Sequence, residues 1–270
     1  MIDLHSHILP GLDDGAPSIE VSIEMARMAV ADGVTHMACT PHVMPGKYPN
    51  TSATILPAIG SLQAMLDARG IGLKLLAGAD VHVAWDLPDR LRDRTIPTLN
   101  GTRYFLLEPP HEILPPNLER LASRLIDAGF VPIITHPERL SWAKAHYQVI
   151  ADLSAMGCPL QLTAESVLGG FGSSPRELAI RMLDDGIVSL FASDAHSSTW
   201  RKPGLSAARR LVAERWGDDL AGELFLNRPA AIVANESLPV LSRRAEGQAE
   251  GSRRSKKRGE GLLQKMLGFR

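Results

Sequence analysis

The chain opens, over residues 1–15, with the sequence MIDLHSHILPGLDDG, which predicts both the fold and the site. An apolar strand pattern runs into His5 and His7, whose side chains share one face because successive strand residues alternate. Neutral imidazole is the commonest protein ligand for metals, and Asp13 and Asp14 follow within a short loop. An ordinary surface pair of histidines has the same spacing, so the rest of the chain decides between the two interpretations.

Apolar strand patterns alternate with helical patterns along the chain, which is typical of parallel βαβ units. The predicted strands cover residues 2–7, 34–42, 73–83, 103–110, 130–139, 158–166 and 187–196. The predicted helices cover residues 18–32, 53–69, 86–94, 116–128, 141–156, 175–185, 204–216 and 218–226. Seven strands with about as many helices, in a chain of 270 residues, predict one large α/β domain of the barrel type.

The predicted strands share a feature at their carboxyl ends. Six of the seven end in His, Asp or Glu, and the ends of parallel barrel strands meet at one face. The gathered set is His5, His7, Asp14, His42, Asp80, Glu108, His136, Asp194 and His196. This clustering predicts a single shared site. It argues against a dinucleotide-binding fold, because no GxGxxG motif follows the first strand.

The gathered side chains offer five imidazoles and four carboxylates, without a thiolate. Mixed nitrogen and oxygen ligation suits manganese, iron or zinc, and a carboxylate that bridges two ions suits the hydrolysis of phosphate esters. We therefore expect more than one divalent metal ion. In such a site a metal-bound hydroxide attacks phosphorus in line while the ions neutralise the phosphoryl oxygens.

Composition excludes several classes of protein. The net charge of -1 gives no reason to expect nucleic-acid binding. The sequence shows no signal peptide and no apolar run long enough to span a bilayer, so we expect a cytoplasmic protein. A thiol-dependent phosphatase needs an arginine six residues after its cysteine, and Pro45 and Ala164 stand at that distance from Cys39 and Cys158.

The positive charge is concentrated near the carboxyl end of the chain. Residues 243–270 carry nine Lys or Arg against three Glu, in a segment with too few apolar residues for a core. We predict a basic, disordered tail over residues 239–270, separate from a domain over residues 1–238. A solubilising role and attraction to a membrane surface or an acidic partner are both open for this tail.

Six motifs occur in one order along the chain: MIDLHSH, TPH, GAD, LLE, ITHPER and ASDAH. Together they resemble the PHP (polymerase and histidinol phosphatase) superfamily, and within it the bacterial protein-tyrosine phosphatases of capsule and exopolysaccharide biosynthesis. The resemblance covers roughly residues 1–236. It implies a distorted (β/α)7 TIM-like barrel, the PHP fold, with three divalent metal ions, usually Mn2+, with Fe or Zn as alternatives.

The resemblance also implies roles for individual residues. The ligand candidates divide into three sets, one for each ion: His5, His7 and Asp194; Asp80, Glu108 and His136; and Asp14, His42 and His196. Asp80 would bridge the first two ions, at a position where this branch often has the longer glutamate. Arg139 and Arg201 would bind the phosphate, because a guanidinium fork matches its geometry. With Asp14 and His196 they form the expected catalytic residues.

Other polar residues lie near the strand ends. We expect His82 in the wall of the site or behind a ligand, and not as a ligand itself. His111 lies on a loop over the mouth, where a surface position and contact with the substrate are both open. Asp13 either competes with Asp14 for the metal or is a loop acid that caps the first helix. Glu165 lies in a TAES run where the family tends to have Asn-Ala-Gly-Ser, and this departure has no assigned consequence.

The expected function is the hydrolysis of phosphotyrosine on a partner protein, a membrane tyrosine kinase of polysaccharide export. Two alternatives use the same residues. One is a phosphatase for small molecules such as histidinol phosphate or nucleotides. The other is a regulatory barrel that binds metals without turnover.

Overall fold

Short strands and helices alternate along the chain in the computed structural model, which describes residues 1–238. The strands are β1 (Ile2–Asp3), β2 (His36–Cys39), β3 (His42–Met44), β4 (Tyr48–Pro49), β5 (Lys74–Ala77), β6 (Asp80–His82), β7 (Tyr104–Glu108), β8 (Val131–Thr135), β9 (Leu160–Thr163) and β10 (Val188–Ala192). The helices are α1 (Ile19–Ala31), α2 (Ser52–Asp67), α3 (Leu87–Arg92), α4 (Leu118–Asp127), α5 (Tyr147–Ala155), α6 (Ala164–Leu168), α7 (Ser173–Asp184), α8 (Ser206–Trp216), α9 (Asp218–Gly222) and α10 (Arg228–Val233). The predicted α/β fold is confirmed, and the predicted basic tail lies outside the described residues.

The strands form two mainly parallel sheets. One has the order β1-β2-β5, and the other has the order β10-β9-β8-β7-β6-β3-β4. Only the β3–β4 pair, among the pairings in residues 1–238, is antiparallel. This pair forms a hairpin in the segment after His42, where the sequence predicts a loop.

Two strands that the sequence predicts as continuous are interrupted. The strand predicted over 34–42 divides into β2 and β3 at Thr40-Pro41, where proline lacks the N–H group that a ladder needs. The strand predicted over 73–83 divides into β5 and β6 at Gly78-Ala79. A Cβ atom on Gly78 would lie 2.9 Å from side-chain carbons of Thr40 and Leu99, so close packing requires glycine at this break.

The segment after β1 links the two sheets. Ser6 forms a parallel bridge with Ala195, just beyond β10. The His7 N–H donates to the Ala195 carbonyl at 2.8 Å, and the Asp194 N–H donates to the His5 carbonyl at 2.9 Å. On its other side, Ser6 accepts a hydrogen bond from the Thr40 N–H at 2.9 Å. These bonds bring the HSH, TPH and SDAH motifs side by side, where the two sheets meet.

An apolar cluster packs among the strands and the last helix. It contains Ile2 of β1, Leu4 just after it, Leu106 of β7, Leu190 of β10 and Ile232 of α10, all buried. Aliphatic residues of the strands therefore pack together, while the polar ligand candidates stand at or after the carboxyl ends of the strands. No helix within residues 1–238 has the length and hydropathy needed to cross a membrane.

Three helical segments differ from the sequence prediction. Helix α5 begins at Tyr147 instead of residue 141, because Ser141 is bound by its N–H and hydroxyl groups to the His111 carbonyl. Helix α6 occupies 164–168, where the sequence predicts the end of a strand. The last predicted helix ends at Gly222, and a π-helical turn over 223–227 leads into α10.

Asp32 joins the first helix to the eighth. It follows α1, and its carboxylate accepts hydrogen bonds from the N–H groups of Leu205 at 2.6 Å and Ser206 at 2.9 Å. The amide groups of a first helical turn have no partners within their own helix. Asp32 therefore caps α8 from a distant part of the chain and places negative charge at its amino end.

We predict that Asp32→Ala lowers the free energy of unfolding by about 1–2 kcal/mol, because two partly buried N–H groups lose their acceptor. Urea denaturation followed by circular dichroism measures the change. Asp127→Ala is the matched control, since Asp127 is exposed at the end of α4, and it should change stability by less than about 0.5 kcal/mol. Equal effects of the two substitutions would contradict the capping role.

Candidate metal and phosphate site

The structure brings the nine predicted ligand candidates together at the carboxyl ends of the strands. They form one connected cluster in which each side chain has a nitrogen or oxygen atom within 3.7 Å of another member. Several overlapping groups of at least three of these residues have donor atoms close enough to share a metal ion.

The first predicted set converges on one point. The Nε2 atoms of His5 and His7 lie 3.2 Å apart, and each lies 3.3 Å from Oδ1 of Asp194. Donor atoms that bind a shared zinc-sized ion at about 2.0–2.2 Å lie roughly 3–3.6 Å from one another. The spacing of these three atoms fits a divalent ion.

The second set meets the first through Asp80. Its Oδ2 atom lies 3.4 Å from Nε2 of His5 and 3.3 Å from Nδ1 of His42. Glu108 continues the cluster, with Oε2 at 3.2 Å from the same His42 nitrogen and Oε1 at 3.7 Å from Nε2 of His136. Asp80 thus lies between a donor of the first set, His5, and a donor of the third set, His42.

The third set lies toward solvent. Oδ1 of Asp14 is 3.5 Å from Nε2 of His42 and 3.6 Å from Nε2 of His196. The Asp14 side chain is 47% exposed, whereas His196 is buried. This end of the cluster is therefore the one that incoming molecules meet.

Burial of the carboxylates tests whether metal ions fit. Asp80, Glu108 and Asp194 are at most 4% exposed. Within residues 1–238, both oxygens of Asp80 and Oε2 of Glu108 accept no hydrogen bond of good geometry, although imidazole nitrogens lie near two of these three oxygens. A buried carboxylate without a partner is costly unless a cation compensates it. The unsatisfied oxygens, with imidazole nitrogens beside them, therefore fit divalent metal ions.

The electrostatics agree with an anionic cluster. Burial alone would lower the pKa of His42, but the carboxylates of Asp80 and Glu108 raise it to about 11. Burial, His7 and Arg201 lower the pKa of His196 to about 2. An imidazole with so low a pKa is neutral at pH 7, which favours a ligand role for His196 over the role of a proton donor.

Hydrogen bonds on the far side of the rings fix their orientation. Nδ1 of His7 lies 2.6 Å from Oδ2 of Asp13, and that oxygen also accepts the His42 N–H at 2.9 Å. Nδ1 of His5 lies 2.8 Å from Oε1 of Gln161, in β9. Of the two roles open for Asp13, the helix cap is wrong, because its carboxylate contacts the ligand candidate His7 instead. Such carboxylate–histidine pairs hold the other ring nitrogen toward a metal.

Arg139 and Arg201 meet at the second oxygen of Asp194. Both guanidinium groups form ion pairs with Oδ2, and both line the site cavity. The ring of Phe171 lies beside them, with its centroid 4.3 Å from the guanidinium carbon of Arg139 and 5.9 Å from that of Arg201. Cation–π contacts of this kind favour fixed guanidinium positions.

Sequence reasoning did not find Phe171 or Gln161. Phe171 lies in the VLGGFG loop between Gly169 and Gly172, which both have positive φ angles, +95° and +93°. Gln161 could have been found in the sequence, because it is a polar residue inside the apolar strand LQLT. A polar side chain in that position needs a buried partner, and His5 provides it.

Three residues of the site have backbone conformations that favour glycine. His136, Asp194 and Arg201 have φ angles of +34°, +52° and +46°. Such conformations cost free energy and persist where the surrounding structure holds them, often at functional sites. Their side chains are therefore aimed by the backbone as well as by their contacts.

The cluster opens into a cavity of about 220 Å³. Its wall includes Met44, Lys47 and Tyr48 of the β3–β4 hairpin. His111 lies at the mouth, half-buried, with Nε2 3.5 Å from Oε1 of Glu108. His82 does not line this cavity, but its Nδ1 atom lies 3.6 Å from Oε2 of Glu108. His111 is closer to the ligand candidates than a surface position implies.

Known proteins resemble this chain over most of its length. Tyrosine-protein phosphatase YwqE of Bacillus subtilis is 33% identical over 253 residues, which are 92% of this chain and 99% of YwqE. Tyrosine-protein phosphatase CpsB of Streptococcus agalactiae serotype V is 25% identical over 240 residues, which are 87% of this chain and 99% of CpsB.

A solved structure has the same arrangement of the chain. It comes from work on YwqE of Bacillus subtilis and CpsB of Streptococcus pneumoniae, described as unique metal-dependent tyrosine phosphatases. The TM-score is 0.85 at 31% sequence identity, with 88% of this chain and 96% of the other covered. A family model for capsular polysaccharide synthesis, CpsB/CapC, matches residues 1–234. The chain therefore belongs to the CpsB/CapC family.

Proposed function

We propose that this chain is a metal-dependent protein-tyrosine phosphatase of capsule or exopolysaccharide biosynthesis. The observation that carries the proposal is the convergence of nine ligand candidates and two arginines in one cluster, part of which opens into the site cavity. The relatives whose names describe tyrosine phosphatases support it.

Three divalent metal ions, with Mn2+ foremost and Fe or Zn as alternatives, are part of this proposal. The sets that would hold them are His5, His7 and Asp194; Asp80, Glu108 and His136; and Asp14, His42 and His196. Bound metal ions of this kind supply a water nucleophile at neutral pH and neutralise charge on the phosphoryl oxygens. The unsatisfied oxygens of Asp80 and Glu108 support this assignment.

The chain's own residues hold the phosphate. Arg139 and Arg201 present guanidinium groups at the cavity, and Asp194 with Phe171 fixes where they lie. Their charge orients a phosphoryl group in line with the ligand cluster. A thiol mechanism is not available, because burial raises the pKa of Cys158 to about 12 and raises that of Cys39 as well.

Phosphotyrosine suits this site because its leaving group is a phenolate. Phenol has a pKa of about 10, so its departure needs less proton donation than that of a serine alkoxide. The low pKa of His196 is consistent with a reaction that makes little demand on an acid. We propose a bacterial membrane tyrosine kinase of polysaccharide export as the substrate protein. The cytoplasmic location stays a prediction from the sequence.

We also propose that the strands close into a distorted barrel of seven. We count β2 with β3 as one barrel strand, and β5 with β6 as another. Together with β1, β7, β8, β9 and β10 they make seven strands. The bridge between Ser6 and Ala195 supports closure between the first and last of them. A closed barrel places every carboxyl strand end around one site.

A metal-supplemented substrate panel tests the proposed function. The enzyme is stripped with a chelator, reloaded with Mn2+, Fe2+ or Zn2+, and its metal content is counted by mass spectrometry. We expect Mn2+ to restore activity on a phosphotyrosine peptide. The kcat/KM value for this peptide should be at least about ten-fold higher than that for the matched phosphoserine peptide. His136→Ala should lower kcat by at least about 100-fold. A higher kcat/KM for histidinol phosphate would identify a small-molecule phosphatase, and bound metal without turnover would identify a regulatory barrel.

We predict that Asp13→Asn weakens metal binding by about 10–100-fold, because His7 loses the carboxylate that orients its ring. Competition with a chromophoric chelator measures the affinity, independently of turnover. Asp127→Asn serves as the control, since Asp127 lies exposed on α4. An unchanged metal affinity in Asp13→Asn would remove Asp13 from the positioning role.

We predict that Phe171→Leu raises KM and the inhibition constant of inorganic phosphate about five-fold, with a smaller change in kcat. The substitution keeps an apolar side chain but removes the aromatic face beside Arg139 and Arg201, an interaction of about 1 kcal/mol. Phe171→Tyr should retain wild-type values.

Trp85→Leu is the matched control for Phe171→Leu. The ring centroid of Trp85 lies 5.6 Å from the guanidinium carbon of Arg124, and Trp85 does not line the site cavity. If inorganic phosphate has the same inhibition constant for Phe171→Leu and for wild type, the aromatic ring does not position the arginines.

A further inference from the structure

We propose that a second cavity beside the site binds a basic side chain next to the phosphotyrosine of the substrate protein. This flanking cavity has a volume of about 240 Å³ and is lined by Glu165, Gly170, Phe171, Thr199, Arg201 and Lys202. The inference rests on the proposed function, because only a polypeptide substrate has residues beside the phosphotyrosine.

The flanking cavity adjoins the site cavity through shared residues. Arg201 lines both cavities, and Phe171 contacts Arg201 and Arg139. Successive residues of an extended peptide advance about 3.3 Å. A phosphotyrosine whose phosphate is bound by Arg201 therefore leaves its neighbours in the peptide within reach of the flanking cavity.

Glu165 gives this cavity its negative charge. It lies in the first turn of α6 and is half-buried. A Cβ atom on Gly170 would be 2.2 Å from its Oε2 atom, so glycine leaves the space in which the carboxylate lies. Within the described residues 1–238, no hydrogen bond or ion pair reaches this carboxylate. A half-buried acid without a partner gains from binding a cation.

The positive residues of the cavity compete weakly with such a cation. Arg201 is already paired with Asp194. Lys202 is exposed and forms no ion pair with Glu165 among the contacts of residues 1–238, so its flexible side chain can point into water. Phe171 adds an aromatic surface, which favours cations. An acidic side chain would instead meet the Glu165 carboxylate at close range.

Glu165 lies apart from the metal ligand candidates. Among the contacts of residues 1–238, no hydrogen bond or ion pair joins its carboxylate to any of the nine ligand candidates, and it belongs to none of the groups whose donor atoms could share a metal ion. Its carboxylate is therefore part of the wall of the flanking cavity, beside Arg201.

Peptide competition tests the flanking cavity. Three phosphotyrosine peptides differ only at the two positions adjacent to the phosphotyrosine, which carry Lys, Ala or Glu. With the full-length, Mn2+-loaded enzyme we expect kcat/KM for the lysine peptide to be about five-fold above that for the alanine peptide, which corresponds to about 1 kcal/mol. Glu165→Gln should reduce this ratio to about one. Because the readout is a ratio, any loss common to both peptides cancels.

Glu112→Gln is the matched control, since Glu112 is an exposed acid next to His111 that does not line the flanking cavity. Its lysine-to-alanine ratio should equal that of wild type. A wild-type ratio of one, or a ratio that Glu165→Gln leaves unchanged, would overturn the proposal. A preference for the glutamate peptide that Lys202→Gln removes would overturn it too, by identifying Lys202 as the selecting residue.

A binding measurement separates this inference from the proposed function. The same peptides are made with a phosphonomethyl group, which cannot be hydrolysed, and their affinities are measured by calorimetry. If the enzyme turns over no phosphotyrosine but Glu165→Gln still abolishes the lysine preference in binding, the proposed function fails and the flanking cavity stands. Equal affinities of the lysine and alanine peptides for wild type would remove the flanking cavity alone.

Discussion

Asp194 joins the metal ligands to the phosphate-binding residues through its two oxygens. Oδ1 faces the Nε2 atoms of His5 and His7, while Oδ2 contacts the guanidinium groups of Arg139 and Arg201. Its backbone is held by the hydrogen bond from its N–H to the His5 carbonyl. The contact between β10 and the segment after β1 therefore sets the distance between both halves of the site. A shift of one residue in this pairing would turn the side chain to the other face.

The negative charge of the buried carboxylates explains why imidazole and guanidinium groups surround them. Burial alone would raise the pKa of Asp194, but His5, His7 and the two arginines hold it well below its usual value. Arg139 and Arg201 compensate one oxygen of one carboxylate. The oxygens of Asp80 and Glu108 have no arginine, and in residues 1–238 they have only imidazoles nearby. Divalent cations are the compensating charge that this set of donors accommodates.

The sequence was sufficient to predict that the ligand candidates lie close together, because their positions follow from the topology of the strands. Parallel strands that end at one face bring their last residues together, whatever the details of packing. The residues that orient those candidates depend on tertiary contacts, and they were missed for that reason. Asp13 is a loop acid in sequence, and only the path of the loop shows that it meets His7 instead of a helix end.

Phe171 illustrates the same limit in a different way. Its neighbours in sequence are glycines, which predict a turn but not its direction. The contact with two arginines, which follow β8 and β10, arises only when these strands are placed beside β9. The interruptions after β2 and β5 had a signal in the sequence, because Pro41 and Gly78 are residues that break a strand.

Asp80 shows how strand register can offset a shorter side chain. At this position the family resemblance leads us to expect glutamate, and the carboxylate of aspartate reaches one methylene less far. In the parallel pairing of β3 with β6, the Cα atom of Asp80 lies opposite that of His42. From this position Oδ2 is within 3.4 Å of nitrogens on both His5 and His42. The short carboxylate therefore lies between a donor of the first set and a donor of the third, because the backbone of β6 places it beside His42 of β3.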